Sequence, residues 1–357
     1  MWSASDYGTV WWTRVHGPAQ LRRTLAEWAG EGGCILFHHR APLPWADTLR
    51  AQVQTEIQNR DGRRYILPVE DRTGLGPAGE SWFLETFAPA CAGDFLSAMT
   101  LSRFLAGRRA LAGKMVWICG MDEAEQERWV ERLAEFAAGP EAKECILILE
   151  TTGRRPLRKK KMRTLEAEEF IRPFDRKQLC TMAVGEGSES SLRKDYLASL
   201  CVELAGEDPE RLPGLLARRE ELLRDPVETA QQGLGLPPAQ GTHAVRRAQL
   251  QLLLPLLEDV RVALLERNAG ACRKLLPFED EFHNRCGDLY QMELRHLLYF
   301  WGKGTLFLPP EEAGRVRLAQ EARNKLLHEM RALDFPLLCR VLELTEELET
   351  EKSGRDR

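Results

Sequence analysis

Residues 321–333 read EARNKLLHEMRAL and hold an arginine, an asparagine and a histidine within six positions, Arg323, Asn324 and His328. A guanidinium stays protonated and offers phosphate a planar fork of donors, a carboxamide orients by hydrogen bonding, and histidine is the side chain that titrates near neutrality. The combination suits a phosphate ester. On one continuous helix, Ala319, Ala322, Leu326, Met330 and Leu333 keep three- and four-residue spacing and predict a buried stripe. Asn324, His328 and Arg331 then fall at i, i+4 and i+7 on a different face, with Arg323 flanking them. Arg323 and His328 are about 140° apart around the axis, so they meet at one phosphate when the long arginine curls around the helix.

Three other groups have the types for chemistry. The acids Asp122 and Glu123 follow the apolar run MVWIC, where they can hold a cation or simply stabilise the positive end of a helix. His38, His39 and Arg40 open the loop HHRAPLPWADTL and could bind an anion, or serve as ordinary loop polar residues. The run RRPLRKKKMR, 154–163, concentrates Arg154, Arg155, Arg158, Lys159, Lys160, Lys161 and Arg163 in ten positions. Such a field either contacts a nucleic-acid backbone, which needs no particular spacing, or is a solvated loop. Arg331 poses the same choice. His283 and His296 have no arginine five positions upstream and read as structural.

The elements that must position these residues change character along the chain. Short apolar runs at 34–37, 65–69, 115–119 and 145–149 alternate with amphipathic stretches at 45–57, 93–107 and 123–137, and 168–174 offers a weaker fifth strand. That alternation predicts a parallel α/β sheet covered on both faces. From about residue 190 the pattern is helical. The expected organisation is an α/β domain over 1–185, a small helical lid-like region over 186–230, a Gly/Pro-rich linker over 231–242 and a four-helix bundle over 243–357.

At 357 residues, 43% hydrophobic and 29% charged, the composition is that of a globular protein with more than one domain. A net charge of −4 makes any basic site local. The opening MWSASDYGTVWW has no apolar leader, and the longest leucine-rich run, 250–260, is too short and too charged for a membrane span, so a cytoplasmic protein without membrane partners is expected. Nine cysteines without a C-x-x-C pair read as small core residues, and neither zinc nor any cofactor is expected.

The order of parts in the first half resembles the P-loop ATPases of the AAA+ and STAND groups, with Asp122 and Glu123 where the resemblance implies a Walker B acid. The glycine-rich phosphate loop that should follow the first strand is missing: HHRAPLPWADTL has no glycine and no lysine, and its two prolines remove donors. The expectation is a degenerate, pseudo-ATPase domain. In the second half, R-N-x-x-x-H on a late helix of an all-helical domain resembles the R-x4-6-H motif of HEPN domains. That resemblance implies a metal-free endoribonuclease in which two copies pair their motif helices around one cleft. It implies further that Arg323 holds the scissile phosphate, that His328 acts as base or acid on the 2′-hydroxyl or the leaving oxygen, and that Asn324 orients one of them. The function implied is an effector of a prokaryotic toxin or phage-defence system, acting on RNA as a homodimer or within a larger defence complex. Two alternatives stand beside it: a non-enzymatic adaptor of clamp-loader or STAND type with a helical assembly domain, and a true ATPase with an unconventional phosphate loop.

Overall fold

A computed structural model describes residues 2–96, 98–185 and 187–355. The chain divides into two units, one formed by Trp2–Leu179 and the other beginning at Cys180. In the first, α1 (Ala4–Arg14) and α2 (His16–Gly30) precede β1 (Gly33–His38). There follow α3 (Ala46–Arg60), β2 (Tyr65–Ile66), β3 (Glu70–Asp71), α4 (Glu80–Phe87), α5 (Leu101–Arg108), β4 (Lys114–Cys119), α6 (Glu123–Ala138), β5 (Ile146–Thr151), β6 (Arg163–Glu166) and α7 (Pro173–Gly185), which runs past the boundary. The sheet is parallel throughout, in the order β2-β4-β5-β1-β6, with β3 also on β4.

The three long strands are apolar because both faces are covered. On one face Leu36, Val116 and Leu147 meet Phe83, Phe87 and Trp129, whose rings pack with Phe83 at 4.9 Å from Phe87 and 5.1 Å from Trp129. The other face is closed by α2, which packs on β1, β5 and α3. Two strands differ from the sequence expectation. Pro68, which lacks an N–H, divides the second run: β2 and β3 both pair with β4, and Leu67 to Val69 face only Val116 and Trp117, a one-residue bulge. The last strand lies at Arg163–Glu166, where buried Leu165 pairs with Phe37, and not at 168–174. There Pro173 opens α7 and leaves Phe174 69% exposed. The helix expected over 93–107 starts only at Leu101, capped by Thr100. α1, α2 and α4 had no counterpart in the sequence reading.

The second unit holds α8 (Ser191–Ala205), α9 (Leu212–Ala217), α10 (Arg219–Arg224), α11 (Pro226–Leu234), α12 (Pro238–Arg267) and α13 (Ala269–Arg273). A small antiparallel hairpin follows, β7 (Phe278–Glu279) with β8 (Arg285–Cys286), then α14 (Leu294–Gly302), α15 (Pro310–Leu327) and α16 (Phe335–Arg355). The long α12 packs against α8, α11, α15 and α16. Residues 231–242, expected as a linker, form the end of α11 and the start of α12. Gly235, at φ 65°, stops one helix and Pro237 begins the next, so the Gly/Pro signal marks a helix stop and start inside one unit. Among the described residues no helix is long and apolar enough to cross a membrane.

Polar side chains of α12 reach irregular backbone elsewhere in this unit. Gln249, 1% exposed, accepts from Leu333 N at 2.6 Å and donates to Leu333 O at 3.0 Å, holding the segment between α15 and α16. Gln249→Ala leaves both backbone groups without a partner, at a cost of about 1–3 kcal/mol. Hydrogen exchange read at the Leu333 amide should accelerate accordingly. An unchanged exchange rate would show that packing alone holds the segment.

Candidate functional site

The helix α15 forms because Ala313, Val316, Ala319, Ala322 and Leu326 bury one stripe, and it stops sooner than the periodicity predicts. His328 is its C-cap residue, with its N–H on Asn324 O at 2.8 Å. Met330 takes φ 53° and Arg331 N returns to Lys325 O at 2.9 Å, which closes the helix. Met330 is therefore 69% exposed and outside the stripe, whereas Leu333 is buried as expected. Arg331 leaves the face of Asn324 and His328. Arg246 of α12 donates to Leu326 O at 3.2 Å, a cation placed at the negative end of α15.

Arg323, Asn324 and His328 nevertheless line one cleft of about 360 Å³, together with Phe282, Glu293, Leu294, Arg295 and Gln320. Asn324 is half-buried and His328 exposed. Arg323 does: Nη1 donates to the carboxylate of Glu293, both side chains being about one-third exposed. Glu293 is the N-cap residue of α14. The buried guanidinium of Arg261 fixes the approach to it, donating to Tyr290 O at 2.8 Å and Met292 O at 2.7 Å while bonded to Glu258. The Arg261 hydrogen bond, its charge and that of Arg323 outweigh partial burial and hold the Glu258 carboxyl below its usual range. The cleft thus contains two guanidinium groups, Arg323 and Arg295, an exposed imidazole and a carboxylate already bound to Arg323.

Sequence reasoning missed Glu293, Arg295, Gln320 and Phe282. Only Glu293 had a usable signal, an acid just before the amphipathic run LRHLLYF where an N-cap belongs.

The basic run is dispersed. Arg158 pairs with Glu166, Lys159 with Glu131 at 2.5 Å, and Arg163 is built into β6, donating to Glu31 at 2.6 Å and to Gly32 O at 2.8 Å. Lys160 and Lys161 are exposed. Arg154 and Arg155 line a separate cleft of about 310 Å³ with Glu123 and Glu127.

In the α/β unit, Asp122 caps α6, accepting from Glu125 N at 2.7 Å. His38 is fully buried at the end of β1, with Nδ1 3.2 Å from Thr151 Oγ1, and burial pushes its pKa down. His39 Nδ1 lies 2.9 Å from Ala41 O and Nε2 lies 3.5 Å from Glu150. Arg40 N donates to Glu168 at 2.5 Å. The loop ends at Trp45, φ 47°, where the carbonyls of Pro44 and Trp45 accept the indole N–H of Trp12 at 3.0 and 3.1 Å. His39 and Arg40 thus meet Glu150 and Glu168, and Glu123 lines the cleft of Arg154 and Arg155. Beneath them Glu150, 4% exposed, takes two 2.8 Å hydrogen bonds from Arg50 and one of 2.7 Å from Trp117. Burial pushes its carboxyl up, and Arg50 and His39 more than offset this, leaving it below its usual range. Among the described residues no group of three or more His, Cys, Asp or Glu is placed to hold a metal ion.

Comparison of the chain with family models, with curated proteins and with solved structures finds no match.

The largely buried Glu150–Arg50 pair has a stability consequence. Glu150→Gln leaves the Arg50 guanidinium with only the exposed carboxylate of Asp47, at 2.9 Å, and should cost about 3 kcal/mol at pH 7. Because the folded carboxyl titrates below its unfolded value, the stabilisation is present above the ordinary carboxyl range and is lost as pH falls through the folded value. Urea melts of wild type and Glu150→Gln should therefore converge below roughly pH 4. A gap that stays constant to lower pH would refute this.

Proposed function

We propose that the second unit is a HEPN-type endoribonuclease that cleaves RNA through its own side chains, and that the chain is an effector of a prokaryotic toxin or phage-defence system. The observation that carries this reading is the convergence of Arg323, Asn324 and His328 on one cleft, although His328 lies beyond the helix that holds the other two. In this reading Arg323 binds the scissile phosphate and the charge that grows on it. His328, open to solvent, takes the 2′-hydroxyl proton or supplies one to the leaving oxygen. Asn324 orients the phosphate or the ring. The products carry 2′,3′-cyclic phosphate ends, and DNA, without a 2′-hydroxyl, is not cut.

Before RNA can bind, Arg323 must exchange the Glu293 carboxylate for phosphate. An exposed ion pair of this kind contributes about 0.2–1 kcal/mol, which a phosphodiester can match. The cleft is open on the side of His328, which supports a second copy as its missing wall, with the two-fold axis placing one motif opposite the other. The parallel sheet, with its first strand between β5 and β6, supports an ATPase-like ancestry for the first unit. A His39–Trp45 loop bonded to its own neighbours supports a docking or sensing role without nucleotide turnover. The non-enzymatic adaptor draws on the same Arg323–Glu293 pair, read there as a permanent structural contact.

Arg323→Ala and His328→Ala should each lower RNA cleavage by about 100-fold or more with the fold intact, since neither side chain is in the core. Cleavage should persist in EDTA. Glu293→Gln separates the two readings: freeing the guanidinium should raise kcat/KM by about 1.5- to 5-fold in the ribonuclease, whereas in an adaptor it should only lower stability, by about 0.2–1 kcal/mol. Sedimentation of the full chain at roughly 10–50 µM should give a dimer. Failure of the wild type to cut any RNA ends the catalytic reading.

A further inference from the structure

Next to the cleft is a second cavity, of about 230 Å³, lined by Phe278, Glu279, Asp280, Glu281, Arg295, His296 and Tyr299. Its size suits a fragment rather than a large ligand. Arg295 lines both spaces, and its guanidinium lies 4.8 Å from the centre of the Phe282 ring in the first. The two are therefore one side chain apart.

His296 caps α14 as a structural histidine should, but only one of its nitrogens is used. Nδ1 accepts the N–H of Glu293 at 3.0 Å. Burial, with Arg295 alongside, pushes the pKa of the ring down, so near neutral pH it is uncharged and its one proton sits on Nε2. That N–H is buried in a residue 8% exposed and has no hydrogen-bond partner among the described residues. Asp280 Oδ2 is 3.8 Å away, beyond hydrogen-bond range. A donor and an acceptor thus stand side by side on two residues that line the cavity.

The acids around them share few cations. Asp280 takes a 2.7 Å bond from Arg295, Glu281 lies 3.5 Å from the same guanidinium, and Glu279 pairs with His283 at 2.6 Å. What the cavity offers is an N–H donor beside a carboxylate acceptor between aromatic walls, Phe278 and the half-exposed Tyr299. A flat heterocycle with an acceptor beside an N–H donor complements it, and every nucleobase has such an edge. Single-stranded RNA is read in this way, with bases turned out, stacked on aromatic rings and hydrogen-bonded on their edges.

We propose that this cavity is a nucleobase subsite, in which His296 Nε2–H and the Asp280 carboxylate read the edge of a base flanking the phosphate held in the adjoining cleft. The choice of RNA as ligand rests on the ribonuclease reading; the cavity and its donor–acceptor pair do not. Asp280 also accepts the N–H groups of Phe282 and Asn284 at 2.9 and 2.8 Å, so its replacement endangers the hairpin. Tyr299, on the surface, is the safer probe.

The test uses the full chain carrying His328→Ala, titrated with each of the four ribonucleoside 5′-monophosphates while the His296 ring is followed by NMR. At least one nucleotide should bind saturably with a shift of the His296 ring signals, and Tyr299→Ala should weaken it by about fivefold or more. No binding by any of the four overturns the proposal, as does binding that leaves His296 unmoved or is indifferent to Tyr299→Ala. Saturable binding of free arginine instead would make the cavity a cation site and equally overturn it. The ribonuclease reading is scored separately on His328-containing protein: RNA cleavage with the same base preference before and after Tyr299→Ala keeps the nuclease and sinks the subsite. Nucleotide binding at His296 without any cleavage does the reverse.

Discussion

Backbone groups without a regular partner have to find one, and in the second unit α12 supplies it. Arg246 meets Leu326 O, Gln249 meets both main-chain groups of Leu333, and Arg261 meets the carbonyls of Tyr290 and Met292. An unpaired buried backbone group costs about as much as the hydrogen bond it lacks, so these contacts leave the two irregular segments little freedom. One segment carries His328, and the other delivers Glu293 and the start of α14. The cleft is where both arrive. Its geometry is set less by the motif helix than by polar side chains of a neighbouring helix some 60 to 80 positions earlier.

The two units use the same chemistry, an arginine on a glutamate, to opposite ends. Glu150 is buried near the carboxyl edge of the sheet against the largely buried Arg50, with Trp117 and His39 beside it. Low dielectric makes such a pair costly to break, which suits a fixed part. Glu293 and Arg323 are each about one-third exposed, and solvent screens their attraction. Exchange of partners there is cheap, as a ligand site requires.

The sequence made the sheet legible because strands buried on both faces leave uninterrupted apolar runs, and Cys34–Phe37, Met115–Cys119 and Cys145–Leu149 all became strands. It misled where one residue overrode the pattern. Pro68 split a run that was apolar throughout, and Thr100 began a helix in the middle of an apparently continuous one. The Gly/Pro-rich 231–242 showed local breaks correctly, but a break between helices and a break between domains look alike without knowing that α8 and α12 pack together. In the site, Arg323, Asn324 and His328 were found from spacing on a helix that in fact ends at Leu327. Ala319, Ala322 and Leu326 were right for the stripe; Met330 failed because nothing in its type announces a left-handed backbone. Glu293 lies thirty positions upstream of Arg323, and no periodicity links them.

The placement of Glu293 bears on how an anion is accommodated. Arg323 and His328 sit at the C-terminal end of α15, whose dipole presents negative charge and by itself repels phosphate. The same cleft also contains Leu294, the first residue of α14, whose N-terminal end has the opposite sign. An anion between the two is disfavoured by one helix, favoured by the other and fixed by the guanidinium. Glu293 already sets a carboxylate there, at the start of α14 and on Arg323, so it occupies the position that the charges of the cleft define for a phosphate. On the ribonuclease reading this acid keeps the arginine oriented and hydrogen-bonded until substrate arrives. It then moves aside into solvent, to which its side chain is already partly open.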